Sequence, residues 1–168
     1  PLIHPRTPEF KELLLETRGN LQQIFRTAHD MVILSSSGTG AMEASVANLH
    51  SPGDKVVAVV AGKFGERWTE MADAFGLDCI PICKEYGEAA SAEEILGVLR
   101  ENPDTCSVLL QGCETSTGTI HDLEAIGTAI SSEFPDVLII VDAITAVACQ
   151  PVEPDAWGLD VVICGSQK

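Results

Sequence analysis

Residues 55–84 read KVVAVVAGKFGERWTEMADAFGLDCIPICK, and this stretch decides the fold. It opens on an apolar run, 55–62, of the kind that fills a strand buried on both faces. The pattern turns helical over 64–76 and stops at Gly76. A second apolar run, 77–84, follows. Pro81 inside it cannot donate to a ladder, so an edge or irregular strand is predicted there. Strand, helix and strand in so short a span form the unit from which a parallel sheet is wound.

The same alternation extends in both directions. Residues 8–29 place Phe10, Leu13, Leu14, Leu21, Ile24 and Phe25 near helical spacing, predicting a helix or two broken near Gly19–Asn20. "MVILSSS" (31–37) reads as a short strand ending in small polar residues. "GAMEASVANLH" (40–50) reads as a helix closed by the turn signal "SPGD". Further on, "SAEEILGVLREN" (91–102) is a helix whose Ser91 and Glu94 fit a capping box. "CSVLLQGC" (106–113), "VLIIVDA" (137–143) and "LDVVICG" (159–165) are strands, and "LEAIGTAISSEF" (123–134) is a helix between two of them. The expected architecture is α/β: three layers, α/β/α, around a mostly parallel sheet.

Composition sets the bounds. The 168 residues suit one domain, and 45% hydrophobic against 21% charged residues is enough to bury a core. No apolar run is long enough to cross a bilayer, so no membrane association is expected. No basic stretch followed by an apolar one opens the chain, and "PLIHPRTPEF" reads as the middle of a longer protein. A net charge of −15 argues against nucleic acid, whose phosphates need clustered Lys and Arg. The six cysteines form no C-x-x-C pair and the four histidines are scattered. No metal site is expected, and buried free thiols in a reducing cytosol fit best.

In a parallel sheet, ligands gather at the carboxyl ends of the strands. After 31–34 come Ser37, Gly38, Thr39 and Gly40, leading into a helix: an anion site, most plausibly for phosphate, or a purely structural glycine turn. The dinucleotide and P-loop fingerprints are both missing from this turn. After 55–62 comes Phe64, a face for a flat ligand or a packing residue; Trp68, one turn on, reads as core. After 106–113 come Glu114, Thr115, Ser116 and Thr117, either site groups or caps. After 137–141 comes Asp142, a carboxylate at a depth that calls for a cation or strong donor, with helix capping as the competitor. After 159–165 come Ser166, Gln167 and Lys168; this lysine is a tunable nucleophile or a surface charge. Together the set meets the needs of pyridoxal 5'-phosphate: N–H donors for its phosphate, a stacking surface, an acid for the ring nitrogen and an amine for its aldehyde.

These residues resemble the class V aminotransferases of the fold-type I pyridoxal-phosphate enzymes, nearest in character to alanine–glyoxylate and serine–pyruvate aminotransferases. The resemblance rests on "HPRTPEF", "SSSGTGAMEASVANL", "GKFGERW", "ETSTG", "VDAITAV" and "GLDVVICGSQK", in that order along the chain. It implies that Lys168 forms the Schiff base and moves the substrate's α-proton, and that Asp142 partners the pyridine nitrogen. It places Phe64 as the ring-stacking aromatic, in a position where the family often has tryptophan. Ser37, Gly38, Thr39 and Gln167 are similar to the phosphate contacts, and Thr115 to a hydroxyl near the phenolic oxygen. Residues 1–168 then form part of a large cofactor-binding domain. The small C-terminal domain, with the arginine that grips the substrate carboxylate, is expected beyond Lys168, and a homodimer in the cytoplasm is implied. The implied reaction is transamination of a small amino acid, alanine or serine, with a 2-oxo acid, glyoxylate or pyruvate. The same scaffold also hosts cysteine desulfuration, kynurenine cleavage and phosphonate or ureidoglycine transamination; Phe64 argues against a desulfurase, which carries a stacking histidine. A cofactor-free binding module on this fold is the alternative of another class.

Overall fold

The computed structural model describes residues 2–167. A long helix α1 (Pro8–Phe25) leads through an extended segment to α2 (Gly38–Leu49). Then come β1 (Lys55–Val60), α3 (Lys63–Ala74), β2 (Asp78–Cys83), α4 (Ala92–Glu101) and β3 (Thr105–Gln111). A small hairpin, β4 (Cys113–Glu114) and β5 (Thr119–Ile120), precedes α5 (Leu123–Glu133), β6 (Leu138–Asp142), a single turn α6 (Pro154–Trp157) and β7 (Val161–Ile163).

Five strands pair in the order β2-β1-β3-β6-β7, every pairing parallel. Alternation of side chains along each strand sorts the apolar residues to two faces. Val57, Val59, Val108, Leu110, Ile139 and Val141 meet α4 and α5 through Ile95, Leu99, Ile126 and Ile130. Val56, Ala58, Leu109 and Ile140 meet α2 and α3 through Met42, Val46, Trp68 and Ala72. The expected α/β/α layering is the observed one, and β2 with Pro81 is an edge strand. The Ser91–Glu94 capping box forms at the start of α4. Among the described residues no helix is long and apolar enough to cross a membrane.

The strand order places the site. From β1 the chain winds outward through α3 to β2, then returns past β1 through α4 to β3. The winding reverses between β1 and β3, which opens a crevice at their carboxyl ends. Phe64 follows β1 there, and the 113–117 loop follows β3.

Three expectations need correction. Residues 31–34 are not a strand: they pair with nothing in the sheet, and Val32 is 79% exposed. An apolar β-branched run becomes a strand only when a ladder partner lies beside it, and none of the described strands does. Helix α1 runs unbroken through Gly19 and Asn20, because a glycine in a helix interior costs only about 1 kcal/mol and need not end it. The cysteines are free as expected, yet none is fully buried, and Cys83 and Cys149 are exposed. Cys83 ends an edge strand and Cys149 sits in the loop after β6, so neither has a covering layer.

Candidate active site

Among the helix N-termini at the carboxyl edge of the sheet, those of α3 and α2 are treated differently. Helix α3 has Gly62 as its N-cap, which has no side chain to cap it. Its first amides are satisfied from across the crevice instead. Lys63 donates to the Ser116 hydroxyl at 3.0 Å, Phe64 to the Glu114 carboxylate at 3.1 Å, and Gly65 to the same carboxylate at 2.9 Å. A carboxylate at a helix N-terminus also complements the helix dipole. Glu114 is fully buried and further accepts the Ser116 amide at 3.0 Å and hydroxyl at 2.7 Å. Burial alone would raise its pKa, but these bonds from Ser116, Gly65 and Phe64 outweigh it and hold the carboxyl below its usual range. Gly62 is required here: a Cβ would lie within 2.7 Å of the Glu114 side chain.

Helix α2 is left open. The Ser37 hydroxyl accepts the Gly40 amide at 3.1 Å, and the Ser37 carbonyl accepts the Ala41 amide at 3.0 Å. Among the described residues the amides of Gly38 and Thr39 donate to no protein acceptor. That is an anion cradle in the physical sense: free N–H groups and a positive dipole end. Gly38 is buried, and a Cβ there would collide with the Ile144 side chain. The turn is therefore pressed against the loop that follows β6.

Asp142 ends β6. It is 5% exposed, sits in register with Gln111 of β3 and Ile163 of β7, and accepts the Ile144 amide at 3.0 Å. Phe64 is held at both ends of its peptide, its amide by Glu114 and its carbonyl by the buried Gln111 side chain at 2.9 Å. Thr115, exposed, shares a hydrogen bond of 2.9 Å with Thr145, which donates to the Cys113 carbonyl at 3.0 Å. The Arg67 guanidinium lies 4.6 Å from the Phe64 ring centroid and donates to the Thr39 hydroxyl at 3.0 Å.

These contacts close a circuit. Thr39 joins Arg67, Arg67 joins Phe64, and Phe64 joins Glu114 beside Thr115. Thr115 joins Thr145 beside Ile144, and Ile144 returns to Gly38 with Asp142 two residues away. Ser37, Gly38, Thr39, Phe64, Thr115 and Asp142 are thus linked, by contact or by chain adjacency, at the carboxyl edge of the sheet. Gln167 is described but exposed, its side chain folded over Gly165. Lys168 lies outside the described residues.

The class-V aminotransferase profile matches residues 2–168. The chain belongs to the class-V aminotransferase family. Its relatives include the soluble hydrogenase 42 kDa subunit of Anabaena cylindrica, 42% identical over the whole chain and 44% of that protein. Another is the L-aspartate–glyoxylate aminotransferase of Paracoccus denitrificans, 32% identical over the whole chain and 43% of that protein. Among solved structures, the alanine–glyoxylate aminotransferase of Nostoc sp. superposes with a TM-score of 0.94 at 35% identity, covering 100% of this chain and 44% of that one. The chain therefore spans less than half the length of the relatives it matches.

Class-V aminotransferases depend on pyridoxal phosphate, and the residues present fit that group. The open amides of Gly38 and Thr39 suit its phosphate. Asp142, a buried acid at a strand end, suits a protonated ring nitrogen. Glu114, legible in sequence as a site group or a cap, is a cap, but of α3, 50 positions back rather than of the segment that follows it. Two participants, Arg67 and Thr145, are not singled out by the sequence pattern; a cation one turn after Phe64 is the available signal for the first.

Proposed function

We propose that the full protein is a pyridoxal-phosphate-dependent aminotransferase acting on a small amino acid, alanine or serine, with glyoxylate or pyruvate as acceptor. The observation that carries this reading is the closed circuit around the crevice, which joins an open anion turn, an aromatic face and a buried acid. Glyoxylate is the acceptor better supported, since it recurs in the names of two relatives whose donors differ.

When bound, the cofactor would supply an electron sink for negative charge developing at the substrate's α-carbon. The remaining work falls to the chain. The amides of Gly38 and Thr39, with the hydroxyls of Ser37 and Thr39, would hold the phosphate, and Gln167 would add a contact. Phe64 would present its ring to the cofactor's face. Asp142 would keep a proton on the pyridine nitrogen, and Thr115 would face the phenolic oxygen. Lys168 would anchor the cofactor and, once released, take the proton from the substrate's α-carbon. A homodimer in the cytoplasm belongs to this reading; six free cysteines fit a reducing compartment.

The test uses the full-length protein and added pyridoxal phosphate. The expected result is a near-ultraviolet to blue absorbance band, abolished by Lys168→Ala, with amino transfer from alanine or serine to glyoxylate. Absence of any band at saturating cofactor refutes the reading in favour of a binding module. Sulfide released from cysteine without amino transfer refutes it in favour of desulfuration.

A further inference from the structure

Arg67 has a position that the circuit alone does not explain. It sits on α3 one turn after Phe64, half-buried, and one side chain meets two parts of the crevice that are far apart in sequence. Its Nη1 donates to the Thr39 hydroxyl at 3.0 Å, and the guanidinium carbon stands 4.6 Å from the Phe64 ring centroid. We infer that Arg67 is a positioning residue that presets Thr39 as a phosphate donor and fixes the plane of the Phe64 ring before the cofactor arrives. This inference rests on the function proposed above.

The physical argument concerns lone pairs. A threonine hydroxyl has one proton to give and two lone pairs to accept with. Arg67, which has no acceptor, can only donate, so it occupies a lone pair and leaves the proton of Thr39 for another acceptor. Thr39 also belongs to the open first turn of α2, where the Gly38 and Thr39 amides have no protein acceptor among the described residues. The hydroxyl and the two amides are therefore donors at one place, and the nearby cation favours a negative group there. On its other side the flat guanidinium covers the Phe64 ring, an arrangement suited to arginine and poorly matched by the point charge of lysine. One residue thus links the anion turn to the stacking face, so neither has to be ordered separately on binding.

The experiment is a double-variant cycle on cofactor affinity in full-length apoprotein. Pyridoxal phosphate binding is followed by tryptophan fluorescence for wild type, Arg67→Met, Thr39→Val and the double variant, with inorganic phosphate as competitor. Arg67→Met is expected to weaken binding by about tenfold or more, the factor a charged hydrogen bond commonly carries. Phosphate is expected to compete less well against it. The double variant should fall little below the weaker single variant, since both changes remove the same contact. Arg67→Lys should stay weakened although it keeps the charge; it also replaces Met in the cycle should the Met variant fail to fold. Additive losses, wild-type affinity in Arg67→Met, or full recovery in Arg67→Lys each overturns the inference while leaving the aminotransferase reading intact. A wild-type protein that binds no pyridoxal phosphate overturns both.

Discussion

Glu114 gives the sharpest test of how the site is built. In Glu114→Gln the volume is kept and one carboxylate oxygen becomes an NH2. One oxygen now accepts Gly65 at 2.9 Å and Phe64 at 3.1 Å; the other accepts the Ser116 amide at 3.0 Å and hydroxyl at 2.7 Å. Whichever way the amide turns, one backbone donor, Gly65 or Ser116, faces an NH2, while the Phe64 amide can reach either position and the Ser116 hydroxyl can turn to accept; the charge that strengthened the remaining bonds is gone. Hydrogen bonds to charged groups contribute about 1.5–3 kcal/mol each, so the loss should reach ~3 kcal/mol after some relaxation at the exposed Ser116 end. Because these bonds start α3, which carries Phe64, affinity for pyridoxal phosphate should fall as well. The assay is urea unfolding of full-length protein at neutral pH, paired with cofactor titration. The sign with pH is fixed. A carboxyl held below its usual 4.5 contributes stability that is fully present above that value and lost as pH falls through the lower folded value. The gap between wild type and Glu114→Gln should therefore narrow in acid. A neutral-pH difference under about 0.5 kcal/mol, the scale of an ordinary surface substitution, refutes the reasoning.

Three further outcomes are expected. Gly38→Ala should weaken cofactor binding and cost about 1–3 kcal/mol, because its methyl group meets Ile144; Ile144→Val, which removes the colliding Cδ1, should restore much of both, as read by melting and titration. His121 is 1% exposed; burial lowers its pKa from 6.5, against weaker opposing pulls from the Gln111 backbone and the Glu114 charge. The unfolded chain then binds a proton below pH 6.5 that the fold refuses, so urea midpoints should drop as pH falls through that window, and less so in His121→Gln. Ser91→Ala should remove half of the α4 capping box and cost about 1 kcal/mol, with cofactor affinity unchanged.

The alternation of apolar runs and helical patterns was enough to set the class of fold, since a strand buried on both faces needs helices to cover it. Pro81 marked an edge by its missing donor, and Ser91 with Glu94 marked a helix start, because both effects act within a few residues. The same holds for Ser37, Gly38, Phe64, Thr115 and Asp142, each legible as the residue that follows a strand or opens a helix. Tertiary structure decided the rest. Residues 31–34 have the composition of a strand, but whether they are one depends on a partner that local sequence cannot supply. The reversal of winding between β1 and β3 is a matter of strand order, and composition does not encode order. The carboxylate of Glu114 reaches 50 positions back to Phe64, and Arg67 reaches 28 positions back to Thr39. Such contacts are made only after the sheet has brought distant segments together, so the sequence by itself marked candidate groups at strand ends and helix starts, and only the fold determined which of them hold one another in place.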